Sequence, residues 1–164
     1  MPTFTHGKAT RLYISDGISA PVVPASGAIA VARIYDVSTY AKDVSFPAKM
    51  DTAETSTFGT STKTYVQGLA DRSITFSGSW EGIAAALTDT SAANGVSFDQ
   101  LMSGLIGAAF PIAYAYGPVG VVAGSVKYYG SGILTDYSVT GSIGSLVEFS
   151  AAIQISGAAS RGTF

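Results

Sequence analysis

Cysteine is absent from these 164 residues, and histidine occurs once, at His6. The first absence removes disulfide frameworks, thiolate metal sites and cysteine nucleophiles together. The second makes any Ser–His–Asp arrangement depend on a side chain close to the N-terminus, where chains tend to be mobile. No Gly-x-Ser-x-Gly elbow is present either. Carboxylate pairs such as Asp71 with Glu81, or Asp136 with Glu148, have the makings of a glycosidase dyad, but 11 acids in a β protein offer such pairs by chance. The expectation is a protein without catalytic residues, metal or cofactor.

Charge is also scarce, at 12% of residues and a net of -2. No basic field exists to hold a nucleic acid backbone. Hydrophobic residues make up 47% and the mean hydropathy is +0.34, against surfaces that carry about 25–35% charge in well-behaved monomers. The apolar excess needs an outlet, in a subunit interface or a membrane. Residues 100–126 carry no charge, yet Gly104, Gly107, Pro111, Gly117, Pro118, Gly120 and Gly124 interrupt them. They read better as helix plus strand than as a span, and no membrane insertion is expected. Met1 to Ala9 lacks the basic and apolar blocks of a cleaved leader. Gly117-Pro-Val-Gly120 lacks the Gly-Lys-Ser/Thr ending of a phosphate loop.

What the chain does have is alternation. From Arg72 to Trp80, Ile74, Phe76, Gly78 and Trp80 fall on one face and Ser73, Thr75, Ser77 and Ser79 on the other. That second face is a row of small hydroxyls with no base among them, which suits a solvated wall better than a cleft. A long hairpin is predicted over 125–140 and 145–156. In its second arm Val147, Phe149, Ala151, Ile153 and Ile155 share a face, and Glu148, Ser150, Gln154 and Ser156 line the other. In its first arm Asp136, Ser138 and Thr140 oppose Ile133, Tyr137 and Val139, with Leu134 and Thr135 blurring the pattern. Residues 161–164 read as a short tail.

Earlier strands are expected at 11–15 and 28–37, the latter placing Ile29, Val31, Tyr35 and Val37 together, with a turn signal at Asp16-Gly17. Ser97-Phe-Asp-Gln100 is a capping box that opens a helix near 97–106, with Phe98, Leu101, Met102 and Leu105 at helical spacing. Between 38 and 62 the apolar period vanishes and Thr and Ser dominate. That stretch reads as a long loop, an arm that orders on a partner, and Lys42, Asp43, Lys49, Asp51 and Glu54 are its candidates for ion pairs between subunits. The expected architecture is one mainly β domain over 1–164: a β-sandwich or barrel of antiparallel strands with one short helix and one long loop. Tyr114, Tyr116, Tyr128, Tyr129 and Tyr137 leave open an alternative, a monomeric carbohydrate-binding or adhesin-like module that stacks sugars.

The segment Gly68-Leu-Ala-Asp-Arg-Ser-Ile-Thr-Phe-Ser-Gly78 fits the pattern Gly-Leu-x-Asp-x-Ser-Ile-x-x-x-Gly, and the terminal hairpin ends at Gly157. On these features and on element order along nearly the whole chain, the sequence resembles the major tail tube protein of long-tailed bacteriophages. The resemblance implies hexameric rings stacked into a hollow tube in the virion, built in the host cytoplasm, through which DNA passes without specific binding. It implies further tail partners such as a tape measure and a tail terminator. Ser73, Thr75, Ser77, Ser79, Glu148, Ser150, Gln154 and Ser156 would line the lumen. The 38–62 segment, with Lys42, Asp43, Lys49, Asp51, Glu54 and Phe58, would reach the next ring.

Overall fold

The computed structural model describes residues 7–17, 33–55, 62–81, 87–88 and 95–164. In chain order the elements are β1 (Arg11–Ser15), β2 (Ile34–Asp36), β3 (Ala41–Ser45), β4 (Ala48–Glu54), β5 (Tyr65–Ser79), β6 (Leu87–Thr88), β7 (Gly95–Val96), α1 (Phe98–Leu105), β8 (Ile112–Gly117), β9 (Val126–Thr140) and β10 (Glu148–Thr163). Eight strands form one antiparallel sheet in the order β2-β1-β8-β9-β10-β5-β3, with β4 added to β5, and β6 pairs with β7. The chain is therefore mainly β, a curled half-barrel with one short helix. The expected mainly β domain of antiparallel strands with one short helix is present, and its sheet is a half-barrel.

Alternation explains why the sheet curls. The inward face carries Leu12, Ile14, Ile74, Phe76, Ile112, Tyr114, Leu134, Phe149 and Ile153, all buried, and one apolar face must be removed from water on both flanks. The ends of the sheet approach each other. Val37 N donates to Leu12 O at 3.0 Å, Leu12 N donates to Ser38 Oγ at 2.7 Å, and the link between β2 and β3 thereby ties β1 to β3. Gly78 permits this closure, because a Cβ there would lie 1.9 Å from Tyr40 O.

The helix seals the open core. Ser97 Oγ accepts from Gln100 N at 3.0 Å, as the capping box requires, and Phe98, Leu101, Met102 and Leu105 are buried. Phe98 is the plug: its ring lies 4.8 Å from Tyr40 and 4.5 Å from Phe149, centroid to centroid. Beside it Asp99 Oδ1 accepts from Tyr137 Oη at 2.8 Å and from Trp80 Nε1 at 3.2 Å, which fixes the helix N-terminus against β9 and the end of β5.

Several expectations shift. Residues 38–62 are not one loop: 41–45 and 48–54 are strands. The sequence shows no apolar period there because β3 and β4 bury little, so the periodic signal of burial is missing. The 161–164 tail is mostly sheet, with Arg161, Gly162 and Thr163 paired to Tyr128, Lys127 and Val126. The blur at Leu134 and Thr135 is a β-bulge. Ala152 pairs with Asp136 and Ile153 with Leu134, leaving Thr135 extra, so Leu134 turns into the core while Ile133, expected with the apolar residues, is exposed opposite Gln154. Tyr35 and Val37 are buried as expected, whereas Ile29 and Val31 lie outside the described residues. The uncharged 100–126 stretch divides into the rest of α1, β8 and their connections, and no helix among the described residues is long and apolar enough to cross a membrane.

Because Phe98 closes the core with three aromatic neighbours, Phe98→Ala should lower unfolding free energy by about 3–5 kcal/mol. Urea denaturation of the purified chain checks this.

Candidate functional site: a polar sheet face and a projecting hairpin arm

The side of the sheet turned away from the core is built by register. Glu148 pairs with Ser79, Ser150 with Ser77, Ala152 with Thr75 and Gln154 with Ser73, so the two polar rows read from the sequence lie directly opposite one another. On the other flank of β10, Thr140, Ser138 and Asp136 pair with Glu148, Ser150 and Ala152. On the other flank of β5, Asp43 and Ser45 pair with Ser77 and Thr75. Four strands thus share one surface of small hydroxyls. Ser156 continues it opposite Ser131, and Ile133 is its apolar exception. Thr75, Glu148, Ser150, Gln154 and Ser156 are exposed, and Ser73, Ser77 and Ser79 half-buried.

Its electrostatics are neutral to acidic. Lys42 Nζ is held by Glu148 Oε1 at 2.9 Å, and Gln154 Nε2 donates to Asp71 Oδ1 at 2.6 Å. Asp43 and Asp136 add negative charge. Lys42 and Asp43 therefore belong to β3 and the wall of the sheet, a placement the sequence did not separate from the arm.

Beyond Arg72 the first half of β5 leaves the core and continues with β4 as a two-stranded ribbon. Ala48 pairs with Arg72 and Glu54 with Tyr65, Thr55 N donates to Thr64 O at 2.8 Å, and Lys63 Nζ reaches Glu54 Oε2 at 3.1 Å. Every residue of β4 is exposed. Lys49 pairs with Asp71 across the ribbon, and Asp51 faces a bulge of β5 at Gly68 and Leu69, where a Cβ on Gly68 would come within 2.9 Å of Asp51 O. Phe58 lies outside the described residues. Met50, Tyr65, Val66 and Leu69 are exposed on this arm, Leu69 by 83%. An isolated two-stranded ribbon is marginal in water, and clustered exposed apolar side chains mark a contact surface.

The other sequence candidates are dispersed or packed away. Asp136 pairs with Ala152 and Glu148 with Thr140, so these carboxylates stand four residues apart along the hairpin, roughly 13 Å, and do not form a dyad. Asp71 and Glu81 are ten residues apart along one strand direction. Among the described residues no group of three or more His, Asp or Glu could hold a metal. Tyr114 and Tyr129 are buried, while Tyr116 and Tyr128 stack with Phe46, at 5.9 and 5.1 Å from its ring, rather than forming an open platform. A cleft of about 460 Å³ follows the seam between β1 and β3, lined by Lys8, Arg11, Ser38, Lys42 and Asp43 among others.

Burial raises the Tyr114 hydroxyl to about 12, and Tyr114 Oη is buried without a hydrogen-bond partner among the described residues. Burial, helped by Glu81, raises Tyr40 to about 12 as well. Burial and the Asp99 carboxylate push Tyr137 upward too. These phenols are structural, protonated throughout the neutral range.

Comparison with protein-family models gives no match, and neither does comparison with curated proteins. Solved structures do match over the full length. A chain of the native gene transfer agent (GTA) virion aligns with a TM-score of 0.63 at 10% identity, covering 98% of this chain and 100% of that one. The SPP1 tail tube aligns at 0.64 and 8% identity, covering 98% of this chain and 80% of that one. A chain of the anti-feeding prophage (AFP) baseplate aligns at 0.62 and 6% identity, covering 99% and 98%. At such identities the likeness concerns the fold: this chain shares its curled-sheet fold with these chains of the GTA virion, the SPP1 tail tube and the AFP baseplate.

The raised phenols set an alkaline limit. Unfolded tyrosine loses its proton near 10, whereas Tyr114 and Tyr40 keep theirs to about 12 in the folded chain. The unfolded state therefore binds fewer protons between these values, so this contribution is complete below pH 10 and is lost as pH rises toward 12. Tyr114→Phe removes an unpaired buried hydroxyl. It should leave stability at pH 7 unchanged or raised by about 1 kcal/mol and reduce the loss at pH 11, as measured by urea titration at both pH values.

Proposed function

We propose that this chain is a structural virion protein, a tail tube subunit of the kind found in long-tailed bacteriophages. It self-assembles into stacked hexameric rings that form a hollow tube for DNA passage. The observation that carries this reading is the polar face: four strands in register present small hydroxyls and acids, and the bordering cation Lys42 is neutralised by Glu148. A wall of that kind gives a moving phosphate backbone no unpaired cation to hold, so no counterions are released and no contact retards it. In this reading Ser73, Thr75, Ser77, Ser79, Glu148, Ser150, Gln154 and Ser156 line the lumen. The arm, carrying Lys49, Asp51 and Glu54, contacts a neighbouring subunit.

Support comes also from the fold likeness. The tail of the empty GTA particle, with C6 symmetry, matches with a TM-score of 0.60 at 10% identity over 96% of this chain and 98% of that one. The exposed apolar arm gives the hydrophobic excess of the sequence a destination on other subunits. Tape measure and tail terminator proteins are the further partners proposed, with assembly in the host cytoplasm. The carbohydrate-binding alternative has no observation in its favour, since its tyrosines pack on one another and on Phe46.

Purified protein should give rings or hollow tubes in negative-stain electron microscopy. A species that stays monomeric at every concentration, with or without other tail proteins, defeats the reading. Ser77→Lys with Ser150→Lys should leave tubes intact and slow DNA ejection in a salt-relieved manner; unchanged ejection removes this face from the lumen. For the arm, the deletion must spare β3. Replacing residues 50–70 by Asn-Gly, which joins the paired Lys49 and Asp71, should yield a folded monomer that does not polymerise, and normal tubes from this variant would exclude the arm from assembly.

A further inference from the structure

The sheet forks. β10 pairs with β5 only as far as Gln154 and Ser73, after which β10 stays with β9 while β5 departs with β4. At the parting, β10 bulges: Ser156 pairs with Ser131 but Ser160 with Tyr129, so residues 157–159 oppose Gly130 alone. Arg72 bridges the gap by donating Nη1 to Ala159 O at 3.0 Å. A groove of about 360 Å³ lies there, lined by Phe46, Ala48, Arg72, Tyr128, Ala159 and Arg161. It has apolar walls and two guanidinium groups.

Among the described residues neither arginine has a carboxylate partner. The ion pairs among the described residues use Arg11, Arg33, Lys42 and Lys63, and Arg161 is exposed with no side-chain partner among the described residues. On the acidic side, every described Asp and Glu is engaged in its own chain except Asp43, Asp51 and Asp136. Asp43 and Asp136 lie on the polar face. Of the three, Asp51 alone lies on the arm, opposite the bulge of β5, beside exposed Met50 and near exposed Leu69. One unpaired carboxylate flanked by apolar side chains thus faces outward, and one apolar groove with two carboxylate-free guanidinium groups awaits such a group.

We propose that Asp51 on the arm of one copy of this chain docks into the Arg72 and Arg161 groove of a neighbouring copy. The inference rests on the tail tube reading and names the contact its arm makes. Arginine suits the task, because its planar fork of donors matches a carboxylate, and Arg72 keeps N–H groups beyond the one given to Ala159. Met50 and Leu69 meet the aromatic wall of Phe46 and Tyr128, which shields the ion pair from water. Arm and groove are different surfaces of one chain, so the contact closes a dimer only where two copies exchange arms reciprocally, and in any other arrangement it propagates into a ring or filament.

Charge reversal tests it. Arg161→Glu and Asp51→Arg, each made alone, should raise the concentration at which sedimentation detects assembly about tenfold or more, the scale of an interfacial charge pair turned repulsive. Both positions are exposed, so far-UV circular dichroism and Tm of the monomers should be unchanged. The double variant should recover assembly, and mixing the two single variants should as well, because each then offers the other a complementary arm or groove. Wild-type assembly with no effect of either reversal overturns the ion pair and leaves the tail tube reading standing, as does loss in both variants without recovery in the double variant or the mixture. A wild-type chain that never assembles overturns both.

Discussion

Everything described here depends on the register between β5 and β10. Side chains alternate with a period of two, so sliding one strand by a single residue would move Ser73, Thr75 and Ser77 into the core and Ile74 and Phe76 into water. The core pins that register. Ile74 lies opposite Ile153 and Phe76 opposite Ala151, with Phe76 and Phe149 meeting edge to face at 5.9 Å. The polar surface is the reverse side of the same constraint: apolar packing on one face places each hydroxyl on the other. A polar surface built in this way costs no separate stabilisation, and it cannot be rearranged without dismantling the core.

Much of this was legible in the residues. The strand 72–80, the terminal hairpin and the helix announced themselves because each packs one face against a core, and burial writes periodicity into sequence. Ser97 and Gln100 marked the helix start through the same hydrogen bond that the structure contains. What stayed illegible lacked a buried face. β3 and β4 carry Lys, Asp, Thr and Ser on both sides, and the arm is held by backbone ladder bonds that any side chain permits. Its strand character follows from β5 running on past the core and templating a partner, which is a tertiary cause.

The polar face was readable as two rows, and their union was not. Pairing Glu148 with Ser79 and Gln154 with Ser73 requires the strand order, in which β10 lies between β9 and β5 although 68 residues lie between Ser79 and Glu148 in the chain. The Thr135 bulge was likewise present only as a blur. One extra residue redirects Leu134 inward and Ile133 outward, and no local propensity distinguishes these two neighbours.

β5 is a single uninterrupted strand of 15 residues whose first half belongs to the arm and whose second half belongs to the wall. No joint separates the two. At about 3.3 Å per residue it spans roughly 50 Å, bulged at Gly68 and Leu69 opposite Asp51, and is paired with β10 and β3 at one end and with β4 at the other. Mechanical load applied to the arm is therefore carried directly into the ladder of backbone hydrogen bonds behind the hydroxyl face. Bending the ribbon would bend the polar face through this one strand, so elasticity and surface chemistry share a single structural member.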